Sequence, residues 1–309
     1  VRLVGSEMCI RDSCTMETMS DTQDSPTLPG GHSPLELADA MAKTQLAAHG
    51  DRDDEGLARD LVLNAGRLAW RLREIGLSVD HKTGLTDVVT DADRAAEHFV
   101  SRVLSEARPD DGIVGEEGAA AKSSSGRTWV VDPVDGTFNF TRGSDYWCSA
   151  LALVEGDPDN PERIILGAVH RTAMGYTWLG GPEIPTTRDG KRLNAPADVP
   201  LEEAAVATYL DPKFLGDTPQ RRGYEAVVAR AATQRMLGAG SVDLADTASG
   251  GHDLWLQHTV TSWDWLPGRA LVEGAGGTTR TVEAAGVSWR LAGRPRAVED
   301  AARVLEWVL

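Results

Sequence analysis

Apolar side chains recur at helical spacing early in this chain, and the two periods then alternate. Leu57, Leu61, Ala65, Leu68, Leu72 and Ile75 follow one another at three- and four-residue steps, which predicts an amphipathic helix with one buried face. Before it, Ser33-Pro34-Leu35-Glu36 combines an N-cap, a proline suited to the first helical position and a capping glutamate. A short helix to about Ala48, stopped by Gly50, is expected there, and the acidic break Asp51 to Glu55 separates the two. Thr90 should cap a further helix from about Asp91 to Ala107. Short apolar runs at 112–114, 128–131, 147–154, 164–170 and 176–179 read as strands. The second half mixes the periods: a helix near 224–232, a short one from Ser241, one after Asp264, a strand near 278–282 and a closing helix at 298–308. No internal repeat is present. This alternation predicts helices and sheets in layers, α+β or α/β.

Composition narrows the classes. A chain of 309 residues can build one large or two small domains, and 41% hydrophobic with 25% charged residues is ordinary for a globular protein. The formal net charge of -16 argues against nucleic acid or an anionic membrane as partner. An anionic substrate would have to be drawn by bound cations. Cys9, Cys14 and Cys148 have no metal-type spacing and make no disulfide framework. The run from Cys148 to Val154 is too short to span a bilayer, and no charged start leads into an apolar secretory core. A cytoplasmic location is expected. Residues 14–32 are rich in Thr, Ser, Asp, Pro and Gly and should be disordered. Glu7-Met8-Cys9-Ile10-Arg11-Asp12-Ser13 matches the translated mosaic end of a transposase-based sequencing adapter. Residues 1–13 are therefore expected to be foreign to the natural chain, which would start at Met16 or Met19.

The candidate chemistry lies in three acidic turns punctuated by glycine. Trp129 through Phe140 runs from an apolar strand into Asp132-Pro133-Val134-Asp135-Gly136-Thr137, delivering two carboxylates and a hydroxyl into one turn. Gly115-Glu116-Glu117-Gly118 precedes it, and Trp263-Asp264 follows with Gly274-Ala275-Gly276-Gly277 beyond. Carboxylates in tight turns suit magnesium, which takes oxygen ligands in octahedral geometry and keeps several waters. Each residue also has an ordinary role. Asp93 would complement a helix dipole, Asp264 would be an N-cap, Trp263 would pack, and His252 and His258 would be polar surface. No G-x-S-x-G elbow or aspartyl-phosphate signature offers a covalent nucleophile.

In their order, these motifs resemble the inositol monophosphatase family of magnesium-dependent, lithium-sensitive phosphatases. The likeness covers roughly residues 57 to 309: Thr86 through Asp93, Gly115-Glu116-Glu117, Asp132 through Asn139, then Trp263-Asp264. It implies an α+β fold, the layered α-β-α-β-α sandwich of the inositol monophosphatase and fructose-1,6-bisphosphatase type. A disordered tail and short helix would occupy 14–54 and the phosphatase domain 55–309, with a metal-binding half at 55–195 and an α/β half at 196–309. By the resemblance, Glu116, Asp132 and the Val134 carbonyl would hold one Mg2+. Asp132, Asp135 and Asp264 would hold a second, and Glu117 would help a third through water. Asp93 and Thr137 would orient and help deprotonate the metal-activated water. Gly136, Thr137, Gly240 and Gln257 would contact phosphate or substrate, with Lys82 and Arg235 as accessory cations.

The resemblance implies hydrolysis of a small phosphate monoester, myo-inositol 1-phosphate first, by a homodimer. Histidinol phosphate, a sugar bisphosphate and a 3'-phosphoadenosine nucleotide are alternative substrates. A non-catalytic protein- or RNA-associated role is the alternative of a different kind. Two departures bear on this. Gln257 stands seven residues before Asp264, where many members carry glutamate, and would hold an ammonium group less well. Trp265-Leu266-Pro267-Gly268 stands where small alanines are usual, and its bulk is expected to narrow the pocket or alter a subunit contact.

Overall fold

The computed structural model of the protein describes residues 31–76, 79–84, 87–194 and 197–307, the strand residues between 79 and 88 by backbone alone. Residues 1–13, the tail to residue 30, Thr86, the Lys82 side chain and the boundary expected between 195 and 196 lie outside the described residues. Ser33 and Glu36 form the expected reciprocal cap: the Glu36 N–H donates to Ser33 Oγ at 3.2 Å and the Ser33 N–H to Glu36 Oε2 at 2.7 Å.

That cap starts α1 (Pro34–His49), which is followed by α2 (Asp54–Ile75), the hairpin β1 (Val79–Gly84) and β2 (Asp87–Thr90), and α3 (Asp91–Ala107). Next come β3 (Gly112–Gly115), β4 (Ala120–Ala121), β5 (Arg127–Asp135) and the short α4 (Thr137–Thr141). A meander runs through β6 (Cys148–Asp157), β7 (Asn160–Arg171), β8 (Tyr176–Gly181), β9 (Ile184–Arg188) and β10 (Lys191–Arg192). The remainder is β11 (Ala205–Thr208), α5 (Pro219–Val228), β12 (Thr233–Arg235), α6 (Gly240–Ser249), β13 (Leu254–His258) and α7 (Ser262–Gly274). Last are β14 (Thr278–Ala284), β15 (Val287–Gly293) and α8 (Pro295–Trp307).

Among the described residues, one sheet has eight strands in the order β10-β9-β8-β7-β6-β5-β3-β4, and another has five in the order β12-β11-β13-β15-β14. The period-2 rule explains how they stack. In β5, Trp129 and Val131 face α1, α2 and α3, while Val130 faces α6 and α7. In β6, Leu151 and Leu153 take the first side and Ala150, Ala152 and Val154 the second. Both faces are apolar, so this sheet is covered twice. The five-stranded sheet turns Trp255 and Ala292 toward α6 and α7, and Leu254, Leu256, Trp289 and Leu291 toward α5 and α8. The result is the five-layer α-β-α-β-α sandwich.

Several boundaries differ from the expectation. The helix expected near 224–232 starts at Pro219, where Thr218 caps it and the proline takes the first turn. Strands β11, β12, β13 and β15 had no clear local signal, because pairing between distant segments makes them. The helix α1 buries Ala38 and Ala42 in the same core as α2 and α3. The bulky departure after Asp264 fills the core between the sheets: Trp265 is 4% exposed and stacks on Trp255 at 5.4 Å between centroids. No described helix is long and apolar enough to cross a membrane.

Candidate active site

The acidic turns meet where β5 leaves its sheet. Its pairing with β6 is regular to Asp132–Ala150, breaks at Pro133-Val134 and resumes at Asp135–Cys148. Proline has no N–H to give the ladder, so the strand bulges there. The Pro133 carbonyl accepts Ser149 Oγ at 2.6 Å, and Asp132 Oδ1 accepts the Val134 N–H at 3.2 Å. Asp132 and Asp135 are nearly sealed from solvent, at 1% and 5% exposure. Asp135 receives the first N–H groups of α6, from Gly240 at 3.0 Å and from Ser241. Gly136 bends the chain into α4 at φ 92, a left-handed conformation natural to glycine.

Asp264 arrives from the first turn of α7. Thr261 is the N-cap there, and its hydroxyl donates to Asp264 Oδ2 at 2.7 Å. The expectation that Asp264 itself caps the helix is therefore corrected. One oxygen from each of Asp132, Asp135 and Asp264 lies within 4.8 Å of the others. Burial, then the charges of Glu116, Asp135 and Asp264, push the Asp132 carboxyl well above the usual range. Burial and Asp264 push Asp135 up to about 7, against the opposing effect of its bonds to the α6 start. Asp132 and Asp135 accept backbone N–H groups, from Val134 and from Gly240 and Ser241. An oxygen-only cluster of two buried carboxylates and one half-buried one, with no cationic side chain among the described residues bonded to the buried two, fits a hard divalent ion.

Glu116 follows β3, the parallel neighbour of β5, and its N–H donates to Val131 O at 3.2 Å. It is half-buried, and its charge is the first to act on Asp132. Glu117 acts in the same way on Asp93. Asp93 is 1% exposed and serves two partners. Its Oδ2 accepts the Thr90 N–H at 2.9 Å and the Thr90 hydroxyl, which closes the cap of α3. Its Oδ1 accepts Thr137 Oγ1 at 3.0 Å. The same hydroxyl lies 2.9 Å from Val134 O, so one proton has two acceptors within reach. Burial raises Asp93 to about 6 despite its bonds to Thr90 and Thr137.

Of the other expected residues, Gly240 touches this cluster and the rest take other places. The Gly240 N–H is taken by Asp135. Gln257 is half-buried on β13 opposite Arg290, with no hydrogen bond to the acidic cluster among the described residues. Arg235 is exposed at the end of β12 and donates to Thr233 Oγ1 and Gln234 O. His252 is buried at 8% exposure and lies 4.0 Å from Asp243, which corrects its expected place on the surface. His258 is half-buried and meets the rings of Phe214 and Trp289 edge-on.

Two supporting residues escaped the sequence reading. Glu97 is 4% exposed on α3, and its carboxylate accepts the N–H groups of Glu117 and Ala119. Its signal was present: it lies four residues after Asp93, on the same helix face. Tyr146 donates to the buried Asp243 at 2.5 Å, behind the start of α6. That contact spans 97 residues and had no local signal.

Fold and site together define a phosphatase-type sandwich with, at the end of a central strand, an acidic cluster that could hold a metal ion. The sequence model of the inositol monophosphatase family matches residues 54–306. The chain is 32% identical to the inositol-1-monophosphatase of Caulobacter vibrioides over 234 residues, 74% of this chain and 84% of that protein. It is 42% identical to the histidinol-phosphatase of Mycobacterium tuberculosis over 128 residues, 41% of this chain and 46% of that one. Among solved structures, the extragenic suppressor protein suhB of Bartonella henselae superposes with a TM-score of 0.73 at 25% identity, covering 82% of this chain and 98% of that chain. The chain belongs to the inositol monophosphatase family.

Proposed function

We propose that the protein hydrolyses a small phosphate monoester with Mg2+, myo-inositol 1-phosphate being the first candidate substrate. The observation that carries this reading is the convergence of Asp132, Asp135 and Asp264 from β5 and α7 within 4.8 Å, with Glu116 beside Asp132. Glu116, Asp132, Asp135, Asp264 and the Val134 carbonyl would hold the cations. When bound, Mg2+ supplies charge that offsets the phosphate, lowers the pKa of water and stabilises the leaving oxygen. Asp93 would take up the proton of the attacking water through Thr137. Its other oxygen is already committed to Thr90, which leaves Oδ1 aimed at the Thr137 hydroxyl. Gly136 and Thr137, at the start of α4, would receive the phosphate on N–H groups that a helix start leaves without intrahelical partners.

Gln257 would contact substrate hydroxyls, since its amide both donates and accepts. A cytoplasmic homodimer inhibited by lithium accompanies the reading. The test is phosphate release from inositol 1-phosphate by protein starting at Met19, with and without Mg2+. Release that requires Mg2+ supports the proposal. Silence here and across a panel of phosphate monoesters would refute it in favour of a non-catalytic role. The local 42% identity to a histidinol-phosphatase favours histidinol phosphate as the second reading, and the neutral Gln257 weighs against that cationic substrate. Faster turnover of histidinol phosphate would reverse the order.

A further inference from the structure

We infer that Glu97 is a positioning residue for the cation site, holding the turn that carries Glu116 and Glu117; the inference rests on reading the acidic cluster as a divalent-cation site. Glu97 Oε2 accepts the Glu117 N–H at 2.7 Å and Oε1 accepts the Ala119 N–H at 2.8 Å. The turn closes on itself through the Gly115 N–H to Ala119 O at 2.8 Å, and its other side is tied to β5 by the Glu116 N–H to Val131 O at 3.2 Å. A Cβ on Gly115 would come within 2.3 Å of Glu97 Oε2, so only glycine lets the carboxylate lie against the backbone there. Glu116 is thereby held between β5 on one side and α3 on the other.

Chemistry selects a carboxylate for this task. Two N–H groups face one side chain, and a carboxylate offers two acceptors and no donor. A glutamine would turn its NH2 toward one of those N–H groups. One turn earlier on the same helix, Asp93 grips Thr137. Two buried acids four residues apart thus lock α3 to two of the loops that carry the site. Magnesium demands near-ideal octahedral geometry, so a slackened Glu116 turn would show first as weaker cation binding.

The experiment titrates MgCl2 by calorimetry into the parent and Glu97→Gln proteins and follows melting of each in EDTA and in Mg2+. Glu97→Gln should raise the Mg2+ Kd by about 10- to 100-fold, with the Mg2+ needed for half-maximal phosphate release rising in parallel. KM for the phosphate monoester at saturating Mg2+ should stay within about twofold, because no contact to substrate is removed. A lower melting temperature in EDTA with a parental Mg2+ Kd would reduce Glu97 to a structural residue and overturn the inference. A parent protein with neither Mg2+ binding heat nor a Mg2+-induced melting shift would instead sink the reading of the site. Should Glu97→Gln fail to fold, Glu97→Asp keeps both acceptors one methylene short. A parental Mg2+ Kd in that variant overturns the inference equally.

Discussion

Removing the cation should make stability depend on pH in a defined direction. Asp135 is raised from its ordinary 3.8 to about 7 in the folded protein without metal. A folded value above the unfolded one means that the folded state holds the extra proton. The metal-free protein therefore loses stability from Asp135 as pH rises from about 4 to 7, and the loss levels off above that. Asp132, also raised, acts in the same direction. On the proposed function, Mg2+ would bind the ionised carboxylates and would have to displace that proton at low pH. With a value near 7, apparent affinity at pH 5 should be about 100-fold weaker than at pH 8, which is about 2.7 kcal/mol at one pKa unit per 1.4 kcal/mol.

The assay is urea or thermal unfolding at pH 5 and pH 8, each in EDTA and in excess Mg2+. The quantity read is the Mg2+ increment at each pH. His170 titrates in the opposite sense, since burial lowers it to about 4 and the protein loses stability from it as pH falls below 6.5. It lies outside the acidic cluster, so its contribution cancels in the increment. The increment at pH 8 should exceed that at pH 5 by roughly 5–10 °C in melting temperature. Equal increments at the two values would refute the claim that these buried carboxylates hold the ion.

Other expectations can be checked together. Asp132→Asn should cut phosphate release by on the order of 10^3-fold, the several kcal/mol that a catalytic cation supplies, while circular dichroism stays unchanged; surviving activity would remove Asp132 from the site. Thr137→Ala should lower kcat by about 10^2-fold or more with stability changed by only about 1 kcal/mol, as judged by steady-state kinetics and denaturant melts. Trp265→Ala should cost about 3–5 kcal/mol in denaturant melts, because the ring is buried against Trp255; a smaller loss would mean the core between the sheets closes over the gap.

What the sequence determined by itself is what rests on neighbours along the chain. Ser33 with Glu36 and Thr90 with Asp93 cap their helices because the bonds span three residues. The strands β5 and β6, as short apolar runs, and the acidic turn at Asp132 to Asp135 were legible for the same reason, and the ordered motifs carried the family. Tertiary structure alone decided the rest. Asp135 meets Gly240 and Ser241 across more than a hundred residues, and the N–H of Gly240, a residue expected to contact substrate, is committed to it. Asp264 joins the cluster as a first-turn side chain behind a Thr261 cap, a difference of three residues that local propensity does not resolve. Trp265 enters the core because α7 lies between the two sheets, and His252, in the loop after α6, is buried beside Asp243. Periodicity records that a helix has an apolar face; which polar side chains the opposing layers enclose depends on packing between segments far apart in the chain.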